Sequence, residues 1–205
     1  MTSGALARVI RGAHGASAAR IERCDLCGAG VPDEHRHLLD TASEESADGR
    51  AAPVLCACRP CSVLFVHEAA GEGRYRLIPR RRVRLAPVPT AALGVPVGLA
   101  FFVVRGDGEV RAHYPSPAGA TRWELEPEAW RSAAAECPAL GTLAPDVEAL
   151  LVNTVRGNAQ HWIVPVDDCF RMVAVVRREW RGLSGGSRVW PELERFFAEL
   201  AEQPG

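Results

Sequence analysis

Apolar residues between positions 97 and 166 are grouped in the patterns that strands require. Residues 97–104 (VGLAFFVV) form a continuous apolar run with β-branched and aromatic side chains, which predicts a strand covered on both faces. The Asp-Gly pair at 107–108 predicts a tight turn, and the alternating residues 109–114 predict the return strand of a hairpin. Residues 161–166 (HWIVPV) predict a further short strand. Together these patterns predict a small antiparallel sheet.

Helical patterns lie between and after these strands. Residues 127–136 and 145–152 each begin with proline, which is favoured at the first helical position, and continue with good helix formers. Asp167 and Asp168 can cap a third helix, whose apolar residues follow the i, i+3, i+4 spacing. Residues 191–201 predict a final amphipathic helix after a glycine-rich break. We therefore expect about four helices packed on the sheet.

The chain divides into parts of different composition. Residues 1–20 are rich in alanine and glycine, and we expect them to be frayed or disordered. A cysteine-rich, metal-binding module follows over residues 21–85, and the three prolines of residues 86–96 indicate a linker. The α+β domain is predicted over residues 97–203. The fold class is therefore α+β, with a small zinc-ribbon-like module before the larger domain.

Two segments of the cysteine-rich module predict extended structure. Residues 62–66 (SVLFV) are typical of a short buried strand. Residues 75–85 (YRLIPRRRVRL) contain a proline that restricts them to an edge strand or a loop.

Composition excludes several classes of protein. The 205 residues carry a formal net charge of −1, which gives no overall attraction to nucleic acid or an anionic membrane. No apolar run reaches the roughly 18 residues of a membrane-spanning helix, and the N-terminal residues have no apolar core of a secretory signal. We therefore expect a cytoplasmic protein without membrane insertion. In that compartment seven cysteines indicate metal ligands or free thiols rather than disulfides.

The strongest motif consists of two Cys-x-x-Cys pairs. Cys24 and Cys27 are followed by Gly28, which allows the positive φ that closes such a turn. Cys58 and Cys61 form the second pair, 30 residues further on. Two such turns brought together give a tetrahedral cage of four sulfurs. Its expected occupant is zinc, with iron, alone or as an iron–sulfur cluster, as the alternative.

The long spacing between the two cysteine pairs allows residues other than these four cysteines to bind a metal. It exceeds the usual gap of roughly 15–20 residues, and the small, acidic residues 41–52 can accommodate the excess as a loop. Cys56 can replace Cys58, support the site through a contact with a ligand, or belong to an iron–sulfur cluster. His35 and His37 would point the same way on a strand, either as ligands of a second or mixed metal site or as solvated polar residues.

A basic segment next to a zinc module raises the possibility of nucleic-acid binding. Arg76, Arg84 and the run at 80–82 form the densest group of positive charge in the chain. The same residues can instead form a solvated face or contact an acidic protein surface. The net charge favours a protein partner over nucleic acid.

The remaining cysteines give no support for catalysis. Cys137 ends a predicted helix, and Cys169 lies on an apolar helical stripe, where cysteine behaves as a small hydrophobic residue. A triad of Cys169, His161 and Asp168 has no spacing typical of a nucleophile and its base. No other acid–base constellation is present, and we expect a protein that is not an enzyme.

Several phrases of the sequence carry a family resemblance over about residues 21–203: CDLCG, EHRHLLD, LCACRPC, RYRLIPRR, PVGLAFF, YPSPAGAT, PDVEALLV and IVPVDDCFRMVAVVRREWRGLSGG. In these phrases the chain resembles an uncharacterised actinobacterial family whose genes lie beside those of NiFe-hydrogenases. The resemblance implies an accessory role in hydrogenase assembly or electron transfer, with hydrogenase subunits or maturation factors as partners. It implies no activity and no catalytic residue.

Three functional hypotheses follow from these residues. The first is a non-enzymatic, zinc-binding accessory protein that acts through protein–protein contacts. The second is an electron carrier with rubredoxin-like iron or an iron–sulfur cluster at the same cysteines. The third is a zinc-ribbon protein that binds nucleic acid through its arginines.

Overall fold

The computed structural model describes residues 22–42, 54–66, 73–182 and 185–202. The segment expected to be frayed, 1–20, lies outside the described residues, as does the acidic segment beyond Ala42. Within the described ranges the chain forms two antiparallel sheets and four α-helices, so the predicted α+β class is confirmed.

The elements are named here in chain order. The strands are β1 (Arg36–Asp40), β2 (Val54–Ala57), β3 (Tyr75–Leu77), β4 (Val83–Arg84), β5 (Leu99–Val104), β6 (Val110–Ser116), β7 (Gly119–Trp123), β8 (Glu148–Asn153) and β9 (Gln160–Pro165). The helices are α1 (Arg59–Leu64), α2 (Pro127–Glu136), α3 (Val166–Glu179) and α4 (Val189–Glu202). Short 3-10 helices occupy Ala91–Leu93, Pro138–Thr142 and Val155–Gly157.

The larger sheet has six strands in the order β4-β9-β8-β5-β6-β7. The predicted hairpin is present in this sheet. Its strands β5 and β6 pair antiparallel around a turn in which Gly108 has a φ of +87°. The strand predicted over 161–166 is β9, and the segment 75–85 provides two edge strands, β3 and β4. β7 was not predicted, because only two residues separate it from β6.

Residues 145–152 are not a helix, which corrects the prediction from their composition. The last five of them belong to β8, whose six residues are all buried between β5 and β9. Asp146 has a φ of +66°, which a right-handed helix cannot contain. Alanine, leucine and glutamate favour a helix over other ordinary residues by only about 0.5 kcal/mol per residue. Burial in the middle of a sheet outweighs this preference.

The other predicted helices are present as α2, α3 and α4. The apolar stripe of α3 is buried as expected at Cys169, Met172, Val173 and Val176. The expected capping role of the two aspartates is wrong, because Pro165 is the N-cap residue and both aspartates lie in the first turn. Their carboxylates instead bind His37 and Arg82, as described below.

The larger sheet is covered on both faces. One core contains Phe101, Leu151 and Val164 together with the buried faces of α3 and α4. The opposite core contains Phe102 and Leu150 together with α2. Residues 86–96, expected as a linker, contribute Val88 and Leu93 to this second core.

The smaller sheet, in the order β2-β1-β3, shares a core with the larger one. Leu39 of β1 and Ile78 just after β3 are both 2% exposed and belong to the same apolar cluster as α3 and α4. Around the cysteines the buried apolar cluster contains only Cys24, Val31 and Cys58, with Cys61 packed against it, among the residues described. The smaller sheet is therefore stabilised by the main core, whereas the two cysteine turns have almost no apolar core of their own.

Candidate metal centre

The first cysteine pair lies on a closed turn just before the smaller sheet. The N–H of Cys24 donates to the carbonyl of Ala29 at 2.8 Å, and the N–H of Gly28 donates to the carbonyl of Cys24 at 2.8 Å. Gly28 has a φ of +75°, the conformation predicted from its place after Cys27. The turn places Cys24 in the interior and leaves Cys27 exposed.

The second pair lies where β2 passes into α1. Cys58 is the extended residue before the helix, and Pro60 occupies its first turn, where proline is favoured. The N–H of Ser62 donates to the carbonyl of Cys58 at 2.9 Å, which starts the helix and brings Cys61 back beside Cys58. Residues 62–66 are therefore not the buried strand that was predicted. They form the end of this helix, with Val63 and Leu64 exposed.

The four sulfur atoms of Cys24, Cys27, Cys58 and Cys61 all lie within 4.8 Å of one another; we call this group the four-cysteine site. The Sγ atoms of Cys27 and Cys58 are 3.6 Å apart. In a tetrahedral zinc site with bonds of about 2.3 Å, neighbouring sulfurs are about 3.8 Å apart. The group therefore fits one metal ion held by four thiolates.

The thiols of this site differ in their affinity for protons. Burial disfavours the thiolate of Cys24, but backbone N–H groups of Cys58, Cys27 and Leu26 donate to its sulfur, and the pKa falls to about 6. The pKa of Cys61 rises to about 12, because its thiol forms hydrogen bonds with the sulfurs of Cys58 and Cys27. At neutral pH the sulfur of Cys24 is thus largely ionised, and a metal that binds Cys61 displaces its proton.

Asp25 joins the two cysteine turns. Its Oδ2 accepts a hydrogen bond from the N–H of Cys56 at 2.6 Å, and its own N–H donates to the carbonyl of Cys56 at 2.9 Å. The side chain between the first two cysteines therefore holds the end of β2 in place. Sequence reasoning missed this role, because an aspartate inside a Cys-x-x-Cys motif carries no signal for a contact 31 residues away.

Cys56, the one cysteine of residues 21–85 outside the four-cysteine site, lies with the two histidines. Its sulfur and one ring nitrogen each of His35 and His37 lie within 4.8 Å of one another; we call this group the His-Cys site. β1 and β2 bring them together, because His37 is directly opposite Cys56 in the antiparallel register. His37 also contacts Asp167, whose Oδ2 lies 2.6 Å from its Nδ1. Nothing in the sequence around Asp167 indicated this contact.

A family model matches residues 23–204, which is most of the chain. The chain belongs to the DUF5947 family, a family of unknown function. Comparisons with curated proteins and with solved structures give no match. Within the described part of this DUF5947 protein, no helix is long and apolar enough to cross a membrane.

In this DUF5947 protein the basic segment is paired with carboxylates of the larger domain. Arg76 lies 3.0 Å from Asp146, Arg81 lies 2.7 Å from Glu148, and Arg82 lies 2.6 Å from Asp168. All three carboxylate side chains are less than 10% exposed. Three of the arginines that suggested nucleic-acid binding therefore join β3 and the segment after it to β8, α3 and the loop before β8.

In the described structure the residues of the triad considered above form no hydrogen-bonded chain from thiol to imidazole to carboxylate. Cys169 is fully buried, which raises the pKa of its thiol well above the ordinary value. Asp168 is occupied by Arg82. Both ring nitrogens of His161 are buried, and no hydrogen-bond partner for them is found in the described parts of the chain.

Proposed function

We propose that this protein is a non-enzymatic accessory protein in which zinc at the four-cysteine site organises a surface for a protein partner. The observation that carries the proposal is the convergence of four thiols from two turns. Four thiolates complete a tetrahedral coordination sphere and leave no position for a substrate, which is typical of structural zinc. A cytoplasmic location belongs to the proposal, because reducing conditions keep the thiols available.

The small core around the cysteines supports a structural role for the metal. Val31 is the only non-cysteine residue in the buried apolar cluster described there. Three apolar residues are too few to hold two turns and a six-residue helix against the entropy of the chain, which costs roughly 1–2 kcal/mol for each ordered residue. Metal binding supplies the missing free energy, since binding and folding of such a site are coupled.

The surface beside the metal supports a role in protein contacts. Val63, Leu64 and Val66 are 60%, 66% and 59% exposed, and they directly follow Cys61 along α1 and its end. Leu26, between the first two cysteines, is also exposed. Neighbouring exposed apolar side chains mark sites of association more often than isolated ones. A metal bound to Cys61 would fix their orientation.

The partner implied by the family resemblance is a NiFe-hydrogenase subunit or maturation factor. The pairing of Arg76, Arg81 and Arg82 with buried carboxylates favours such a protein partner over nucleic acid. We expect the full-length protein to capture NiFe-hydrogenase subunits or maturation factors, and Leu64→Ser with Val63→Ser to weaken capture at least tenfold. Val97→Ser, at an exposed apolar position of the larger domain, is the control. Equal capture by all variants would contradict the proposed surface.

Metal content tests the central part of the proposal. Protein purified without oxygen should contain one zinc per chain in the four-cysteine site and show no visible absorption. A coloured protein containing iron would instead establish the electron-carrier alternative. Cys27→Ser should lower the zinc content, whereas Cys137→Ser, which lies outside both sites, should leave it unchanged. Salt-dependent binding of DNA or RNA would support the nucleic-acid alternative.

A further inference from the structure

The His-Cys site is a second group of metal-binding side chains, separate from the four cysteines. It is assembled by strand register, because His37 of β1 faces Cys56 of β2 and His35 precedes His37 by two residues. Residues two apart in extended backbone point to the same side, which brings both imidazoles toward the sulfur. The side chain of His35 is only 5% exposed.

Hydrogen bonds to the outer nitrogens fix the tautomers of both imidazoles. Nδ1 of His35 lies 2.9 Å from the carbonyl oxygen of Pro32, and Nδ1 of His37 lies 2.6 Å from a carboxylate oxygen of Asp167. Neither oxygen has a proton to donate, so each Nδ1 carries the hydrogen. In a neutral imidazole the other nitrogen, Nε2, then has a free lone pair.

The two Nε2 atoms face each other at 3.1 Å. Two bare lone pairs at this distance repel, so either one imidazole carries a second proton that it donates to the other, or one metal ion binds both nitrogens. When two nitrogens bind one ion at about 2.05 Å, they are about 2.9 Å apart at a right angle and about 3.3 Å apart at the tetrahedral angle. The observed separation lies between these values, and the sulfur of Cys56 lies within 4.8 Å of one ring nitrogen of each histidine.

The contact between His37 and Asp167 has the form found at many metal sites. A histidine that binds a metal commonly donates its other ring N–H to a carboxylate, which fixes the tautomer and makes the ligand nitrogen more basic. Asp167 is itself held, because its Oδ1 accepts a hydrogen bond from the N–H of Asp168 at 3.0 Å. The supporting group therefore comes from the first turn of α3.

We propose that His35, His37 and Cys56 bind one divalent transition-metal ion of the zinc, cobalt or nickel type. Two imidazoles and one thiolate suit ions of this class. Three protein ligands leave a fourth position for water or a small anion. Both histidines line an open pocket of about 460 Å³, to which Arg80 and Arg171 also contribute. This pocket gives an ion and a small anionic ligand access from solvent to the two imidazoles.

The test is metal stoichiometry of the full-length protein, with Zn²⁺ and Co²⁺ as the probes. We expect the protein to bind two equivalents, counted by elemental analysis after gel filtration. Cobalt at the His-Cys site should give the visible absorption bands of a tetrahedral ion with one thiolate ligand. Cys56→Ser and the double variant His35→Ala with His37→Ala should each bind one equivalent. Cys137→Ser should retain two.

The remaining outcomes decide against the proposal. A wild type that binds one equivalent, lost in Cys27→Ser and retained in Cys56→Ser, would mean that the two imidazoles share a proton instead of a metal. A second equivalent that survives both Cys56→Ser and the double histidine variant would place it elsewhere. A variant that retains metal at the four-cysteine site is folded. Loss of metal from the four-cysteine site alone would contradict the proposed function and leave the His-Cys site unaffected.

Discussion

Nδ1 of His37 donates a hydrogen bond to Oδ2 of Asp167 at 2.6 Å, which joins β1 to the first turn of α3 across 130 residues of sequence. The bond lies next to the pairing of Arg82 with Asp168, the following residue of α3. It orients one imidazole of the His-Cys site and also ties the two parts of the protein together.

Asp167→Asn should weaken metal binding at the His-Cys site about 10–100-fold, the usual effect of losing a carboxylate behind a histidine ligand. Competition titration with Co²⁺ measures this affinity. Zinc at the four-cysteine site should be unchanged, because Asp167 does not contact those cysteines. Glu199→Gln, which alters an exposed partner of Arg171, is the matched control. Equal weakening in both variants would contradict a specific role for Asp167.

Leu39→Ala should destabilise the whole protein by about 2–5 kcal/mol, because this side chain is buried in the core shared by the two sheets. Leu64→Ala should change stability by less than about 0.5 kcal/mol, since Leu64 is exposed. Urea unfolding followed by tryptophan fluorescence measures both, because all five tryptophans lie beyond residue 122. If Leu39→Ala left this transition unchanged, the smaller sheet would be energetically independent of the larger domain.

Arg81→Ala should cost about 2–3 kcal/mol, at the low end for a broken buried pair because Arg81 itself is partly exposed. The loss leaves the carboxylate of Glu148, which is 3% exposed, with the N–H of Ala144 as its hydrogen-bond donor in the described part of the chain. Arg131→Ala, which removes an exposed pair with Glu128, should cost less than about 1 kcal/mol. Denaturant midpoints compare the two. Similar losses of stability in both variants would mean that the pair of Arg81 and Glu148 contributes no more to the free energy of unfolding than a surface pair does.

Removal of metal should expose the cysteine turns to protease while the larger domain stays folded. After chelation we expect chymotrypsin to cut at Leu64 and Phe65, because α1 then loses the bonds from Cys58 and Cys61 to the metal. Phe101 and Phe102 lie in the centre of the larger sheet and should remain protected. Mass spectrometry of timed digests identifies the cuts. Unchanged cleavage after complete metal removal would contradict a structural role for the metal.

Alkylation should separate the cysteines into three classes. In the metal-loaded protein Cys169 should not react with iodoacetamide at pH 8, because burial removes access and raises the pKa of its thiol. Cys137 is partly exposed and should react. The cysteines of the four-cysteine site should react only after chelation. Labelling of Cys169 in the native protein, found by peptide mapping, would show that the core around α3 opens.

Local patterns were sufficient for the elements whose residues interact with near neighbours. The hairpin of β5 and β6, the buried stripe of α3 and the turn at Gly28 depend on alternation, helical spacing and a single glycine. The same reasoning assigned residues 145–152 to a helix, because propensity describes an isolated segment. Only pairing with β5 and β9 makes that segment a strand.

The sequence by itself determined the two Cys-x-x-Cys turns, because two thiols three positions apart on a tight turn point to one place whatever surrounds them. Only the tertiary structure decided where Cys56 belongs. Its grouping with the histidines depends on the register between β1 and β2, and the orientation of His37 depends on a helix that begins almost 130 residues later. Short-range spacing encodes the first site. The second exists only where distant backbone segments pack together, and such contacts leave no local pattern to read.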